Sequence, residues 1–267
     1  MTATPITSEQ EKQYKRFVED TSNRGLKEVM DKDAMQRLLS RGGEFQAYFL
    51  AGVRRFSTKA PDYALARMIL GKDFISPEEI AKSRGLVYTD EQLAKFGETL
   101  PPQEALEWCR DNRAGLMAGP PRSMSLLEVR ALKDVYFYSK EGGWYAGETE
   151  IFARNDKVDP VWIAFLKEPV EESFNKNWTE QQVLVTNPMV VPNAAEETWC
   201  LTTYKAVRGV YLLPSCYVRI SSVDSDGYRV GVGDFGGAGL HVGHYWDDDR
   251  DSDLGVSAVR KFGTSNS

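Results

Sequence analysis

The chain is short of the residues on which most enzymatic and metal chemistry is built. It has two histidines and three cysteines in 267 residues. Cys109, Cys200 and Cys216 are odd in number, widely spaced and without a C-x-x-C pair, so they read as reduced structural thiols rather than a disulfide framework or a zinc site. His241 and His244 stand in no H-E-x-x-H, and no G-x-S-x-G occurs, which leaves a Ser-His or Cys-His hydrolase little to build on. A basic excess is missing too. Thirty-three Lys and Arg against 39 Asp and Glu give a net charge of -6, so nucleic acid is not an expected partner. No run of about 18 apolar residues appears, which argues against a membrane helix. The opening "MTATPITSEQEKQYKRF" has no apolar core of a secretory signal, so the cytoplasm is the default expectation, with surface or virion display left open.

What is present has two grammars. From Ser8 to about Asn112 the punctuation is helical. Ser8 with Glu11, Ser76 with Glu79 and Thr89 with Gln92 match the S/T-x-x-E/Q capping box, and Pro77 suits a first helical position. Phe45, Tyr48, Phe49, Gly52 and Phe56 recur at helical spacing and read as core packing, as do Leu106 and Cys109 on one helical face. Ser76 to Phe96 has the outline of a helix-turn-helix, yet Asp90 and Glu91 open its second helix, where an approach to phosphate disfavours acid. A plain helical hairpin is expected there.

The prolines and glycine of "AGPPRSMS", residues 118–125, break this pattern and predict a linker. Beyond it "VYFYS", "GWYAG", "VWIAFL", "QQVLVT", "VYLLP", "YVRISSV", "YRVGVGDF", "LHVGHYW" and "GVSAVRKF" read as short strands. Asp226-Gly227 between two alternating runs predicts a hairpin, and Asn193 with Glu196 predicts one capped helix ending near Gly209. The expected class is α+β. Its expected organisation is a mostly α-helical N-terminal domain over 1–117, the linker, and a domain of short antiparallel strands with few helices over 126–267.

Catalytic fragments fail on context. "DFG" at Asp234–Gly236 lacks a kinase glycine loop and H-R-D, and "GVGDFGGAG" is followed by a strand rather than the helix a dinucleotide site needs. The densest polar stretch is "LHVGHYWDDDRDSDLGVSAVRKF", with five aspartates in the seven residues 247–253. Asp247, Asp249, Asp251 and Asp253 alternate as in a calcium loop. The Gly and Glu required at the sixth and twelfth positions are replaced by Leu254 and Arg260, or by Ser252 and Ala258, depending on the start. His241 and His244, three apart in a strand, point to opposite faces and do not chelate one ion. Set aside Leu240, Val242, Gly243, Trp246, Arg250 and Leu254 as a framework, and nine positions remain: His241, His244, Tyr245, Asp247, Asp248, Asp249, Asp251, Ser252 and Asp253. Eight of them are Asp, His or Tyr, which share with Asn codons of the form N-A-pyrimidine and form a recognition set as much as a solvated acidic loop.

Tyr217 to Phe262, closed by "GVSAVRKF", resembles the C-terminal segment of variable proteins diversified by diversity-generating retroelements, and Val191 to Arg219 resembles the lead-in to it. The likeness covers about half the chain, from Ser123 to Phe262. It implies a C-type lectin-like fold of the type found in formylglycine-generating enzyme, and a non-enzymatic protein binding a protein or other macromolecule. The nine positions are then ligand-facing, with Tyr245 as aromatic anchor, while Leu240, Val242, Trp246, Leu254 and Val256 form scaffold. The copper-binding cysteine pair of the oxidase relatives has no counterpart, and of the lectin calcium motifs only "VPN" and "WDD" remain. No cofactor is expected, with a calcium-dependent lectin or metal enzyme using Asp247–Asp253 as the alternative. The helical N-terminal domain is expected to attach or present the binding domain, and self-association is left open.

Overall fold

A computed structural model describes residues 7–28, 31–57, 63–139 and 142–262. The chain forms two compact units, Met1–Ser57 and Thr58–Ser267. The first contains α1 (Ser8–Glu28), α2 (Lys32–Ser40) and α3 (Gly42–Ser57). Its first cap lies one residue before the expected pair. Thr7 Oγ1 accepts from Gln10 N and Gln10 Oε1 accepts from Thr7 N, while Glu11 pairs with Lys15. No described residue of this unit is buried, and Phe17, Leu39 and Phe45 are more than half exposed. The expected core packing of the α3 aromatics therefore fails for Phe45, because three helices of this length enclose little interior. Phe49 is partly covered, and the side chains of Tyr48, Gly52 and Phe56 lie outside the described residues.

The second unit runs α4 (Ala64–Leu70), β1 (Phe74–Ile75), α5 (Pro77–Arg84), α6 (Asp90–Glu98), α7 (Gln103–Asp111), β2 (Gly115–Ala118), β3 (Met124–Ser125) and α8 (Leu126–Leu132). It continues through α9 (Phe152–Asn155), β4 (Lys157–Val158), β5 (Trp162–Phe165), α10 (Trp178–Leu184) and α11 (Ala194–Arg208). It closes with β6 (Tyr217–Val223), β7 (Arg229–Gly236), β8 (Gly239–Tyr245), β9 (Leu254–Val256) and β10 (Val259–Phe262). The architecture is mixed helix and strand, with small, mostly antiparallel sheets and most helices towards the N-terminus. Ser76, Thr89 and Asn193 cap α5, α6 and α11 with both bonds of the box formed, and Gly209 ends α11 in a left-handed conformation.

The expected division at 118–125 is not a linker. One sheet has the order β1-β2-β5-β10, so strands from both sides of that stretch pair directly. Ala118 ends β2 opposite Trp162, Met124 and Ser125 pair with β4, and Ser125 caps α8. β2 is buried at every position, and such a strand must be covered on both faces, which draws 63–118 into the same body as the C-terminal strands. Trp162 sits at the centre, with the rings of Tyr63, Phe74 and Phe96 at 5.6, 5.4 and 5.3 Å and its indole N–H donated to Phe96 O. Each ring so enclosed contributes about 1.5–3 kcal/mol through burial. Leu106 and Cys109 are buried on one face of α7, as their spacing predicts.

The strand readings hold for 162–165 and from 217 onward, where the tail 255–262 contributes to both β9 and β10. "QQVLVT" falls largely in α10, because Asn177 and Glu180 cap a helix ahead of it; "GWYAG" forms a 3-10 turn, and "VYFYS" begins in one before Phe137 bridges to Leu240. "VYLLP" forms no strand. Several additional helices therefore interrupt the C-terminal half, where one was expected. β-branched and aromatic residues favoured a strand locally, but at α10 the Asn177 cap decided otherwise.

Candidate binding surface

β8, β7, β6 and β9 form the second four-stranded sheet in that order, with β8 at an edge. The Asp226-Gly227 turn closes the β6–β7 hairpin as expected, with Asp224 Oδ1 accepting from Asp226 N and Tyr228 N. Leu240 and Val242 point into the core, while His241, Gly243 and Tyr245 point out. Register brings Tyr217, Gly233 and His241 into one outward row and Arg219, Gly231 and Gly243 into the next. Glycine here makes room. A Cβ at Gly231 would run into the Tyr245 ring, which lies down over Gly231 and Gly243 at 5.8 Å from Tyr217. Burial and the nearby Tyr217 raise the phenol pKa of Tyr245.

The two histidines face opposite sides of β8. His241 stacks on Tyr138 at 3.9 Å, with its Nε2 3.8 Å from Asp234 Oδ2. His244, on the side of Val242 but past the core, has an exposed side chain and places Nδ1 2.8 Å from Oδ2 of the buried Asp224. The alternating aspartates do not converge either: among the described residues no group of three or more His, Cys, Asp or Glu is placed to hold a metal ion.

The acidic segment 246–253 connects β8 to β9 and is held through its backbone. Arg219, fully buried, donates Nη2 to the carbonyls of Trp246 and Asp249 at 2.8 and 2.9 Å. Its Nη1 donates to Gln181 Oε1 at 3.0 Å and to Lys176 O at 3.3 Å. Three further loop carbonyls, of Asp247, Asp251 and Asp253, accept from the amides of Trp178, Asn175 and Tyr217 at 2.8, 2.9 and 2.7 Å. Burial lowers the Arg219 pKa, while Asp249, Asp247 and Asp251 oppose the shift. A guanidinium keeps its charge in such a setting.

The loop side chains divide. Asp249 Oδ2 accepts from Trp246 N, Arg250 forks onto Glu180 at 2.6 and 3.0 Å, and Asp247 lies 3.4 Å from Arg229, whose guanidinium covers the Trp178 ring at 4.3 Å. Asp248, Asp251, Ser252 and Asp253 project outward as exposed side chains. Beside them is a groove of about 570 Å³ floored by Pro169, Val170, Phe174 and Cys216. Burial, with Asp253 and Glu168 nearby, pushes the Cys216 thiol up and away from reactivity. Cys109 and Cys200 are buried and unpaired, as their spacing suggested.

Two neighbours exchange the exposure expected of them. Leu240, Val242, Leu254 and Val256 are buried, as the scaffold assignment requires, but Trp246 is 63% exposed. Simple alternation places Trp246 on the inward face with Leu240 and Val242. Trp246 stays on the side of His244, both against Tyr228, where that side of the strand has run past the buried core. Tyr245 instead lies half-buried on its glycine floor. The sequence reading also passed over Arg219, Tyr228 and Arg229. An arginine inside the strand run "YVRISSV" was the one visible signal. Neither the family models nor the curated proteins nor the solved structures compared with this chain contain a match.

Proposed function

We propose that the chain is a non-enzymatic binding protein of the diversified type, with a C-type lectin-like C-terminal domain whose exposed side chains on β8 and the 246–253 loop contact a macromolecular ligand. The observation that carries this reading is the anchoring of the loop through five of its own carbonyls by buried or framework groups. Main-chain bonds do not depend on side-chain identity, so the positions that project from this loop are free to change while the loop keeps its course. The same economy applies to recognition. Aspartate, histidine, tyrosine and serine present hydrogen-bonding groups, and in part aromatic area, at low rotamer cost.

A library randomising the nine positions tests it by two sorts, first for protease resistance and then for binding to arbitrary protein targets. The expected outcome is that most variants at 247, 248, 251, 252 and 253 fold, with losses concentrated at His244 and Tyr245, and that selected binders differ at the loop. General loss of folding across the loop positions would sink the proposal.

A further inference from the structure

We infer that the ligand of this surface is a protein segment bearing arginine or lysine, received on a row of aromatic rings that shares only His244 with the nine polar positions. The inference rests on the binding reading above and names the chemistry of its partner. Along the β8 edge the rings touch in sequence. Trp144 lies 4.8 Å from His244, His244 5.4 Å from Tyr228, and Tyr228 4.6 Å from Trp246. Trp144 donates its indole N–H to Val242 O, covering an outward carbonyl of the edge strand, and Asp224 holds His244, so the row is built into the fold. Yet it faces water. Trp246 is 63% and Trp144 38% exposed, and a contiguous exposed aromatic surface marks contact with a partner rather than chance.

Charge selects the partner. The row runs directly into the loop, where the side chains of Asp248, Asp251 and Asp253 are exposed, and Arg250 is already taken by Glu180. The floor of the adjoining groove is flanked by Glu168, Glu171 and Glu172. A guanidinium or ammonium on the Trp246 face gains from the ring and from these carboxylates together. A neutral ligand leaves the carboxylates unpaired, and an anionic membrane is repelled by them.

The test is selection of a random dodecapeptide library on the full-length protein, repeated on Trp246→Ala and on the chain with Asp248, Asp251 and Asp253 changed to Asn. Trp246→Ala keeps every charge, so general attraction of cationic peptides to an acidic protein is unchanged by it. The expected result is enrichment of Lys- or Arg-bearing peptides that lose about tenfold in affinity on Trp246→Ala and weaken with salt. Enrichment of neutral or acidic peptides that still depend on Trp246 overturns the partner chemistry and leaves the binding surface standing. Enrichment indifferent to both variants overturns the partner and the binding reading together. A blue shift of Trp246 fluorescence on phosphatidylcholine vesicles, absent with selected peptides, overturns the protein partner in favour of lipid.

Discussion

Replacing Arg219 with Met is expected to detach the acidic loop before it unfolds the domain. The guanidinium makes two bonds to loop carbonyls at 2.8 and 2.9 Å and two to the α10 region at 3.0 and 3.3 Å. Bonds from a charged donor contribute about 1.5–3 kcal/mol each, so the pair on the loop is worth about 3–6 kcal/mol before desolvation is counted. Burying the guanidinium, whose Nε finds no partner, offsets part of that. The net loss of global stability is expected at about 2–4 kcal/mol, read as a lower urea midpoint at unchanged slope. Local exchange gives the sharper measurement. The amides of Trp178 and Asn175 are bonded to the loop carbonyls of Asp247 and Asp251, so they report whether the loop is seated. Their deuterium exchange should accelerate at least tenfold in Arg219→Met, while the Val230 and Val232 amides of the central β7 slow or quicken only with global stability. Unchanged exchange at Trp178 and Asn175, alongside a lowered midpoint, would show that Arg219 supports the sheet and not the loop.

Other consequences are simpler to state. Glu197 is 2% exposed and accepts from the Ser257 hydroxyl at 2.7 Å; burial, with Glu196 adjacent, raises its pKa to about 7. The folded chain therefore holds a proton that the unfolded chain releases above pH 4.5, so this group's stabilisation is complete below that pH and falls away as pH rises through 7. Glu197→Gln should flatten that fall, which amounts to about 3 kcal/mol, in urea titrations between pH 5 and 8. Gly231→Ala should displace the Tyr245 ring and cost about 1–3 kcal/mol, with relief when combined with Tyr245→Ala, as a double-mutant cycle would reveal. Changing Asp248, Asp251 and Asp253 to Asn should move the melting temperature by no more than about 5 °C, since exposed positions of this kind carry within about 0.5 kcal/mol each.

Local chemistry was legible wherever partners lie within a few residues. The capping pairs Ser76 with Glu79, Thr89 with Gln92 and Asn193 with Glu196 and the Asp226-Gly227 hairpin all form as read. Each is a contest between short-range hydrogen bonds and steric limits, which the sequence settles without knowing the rest of the fold. Where a second local signal competed, the stronger cap won, as in α10 over the strand-like "QQVLVT".

What the sequence by itself determined, then, is a mixed helix and strand chain with an acidic, histidine-bearing stretch after its last hairpin. Tertiary structure decided which residues that stretch shows to solvent. Trp246 is exposed because its side of β8 runs past the core after Val242, and Tyr245 lies down because glycines on two strands clear a floor. Arg219 reaches loop carbonyls 27 and 30 residues away, and β2 pairs with β5 across the stretch expected to separate two domains. These outcomes depend on register and on long-range burial, quantities that exist only once distant segments have met.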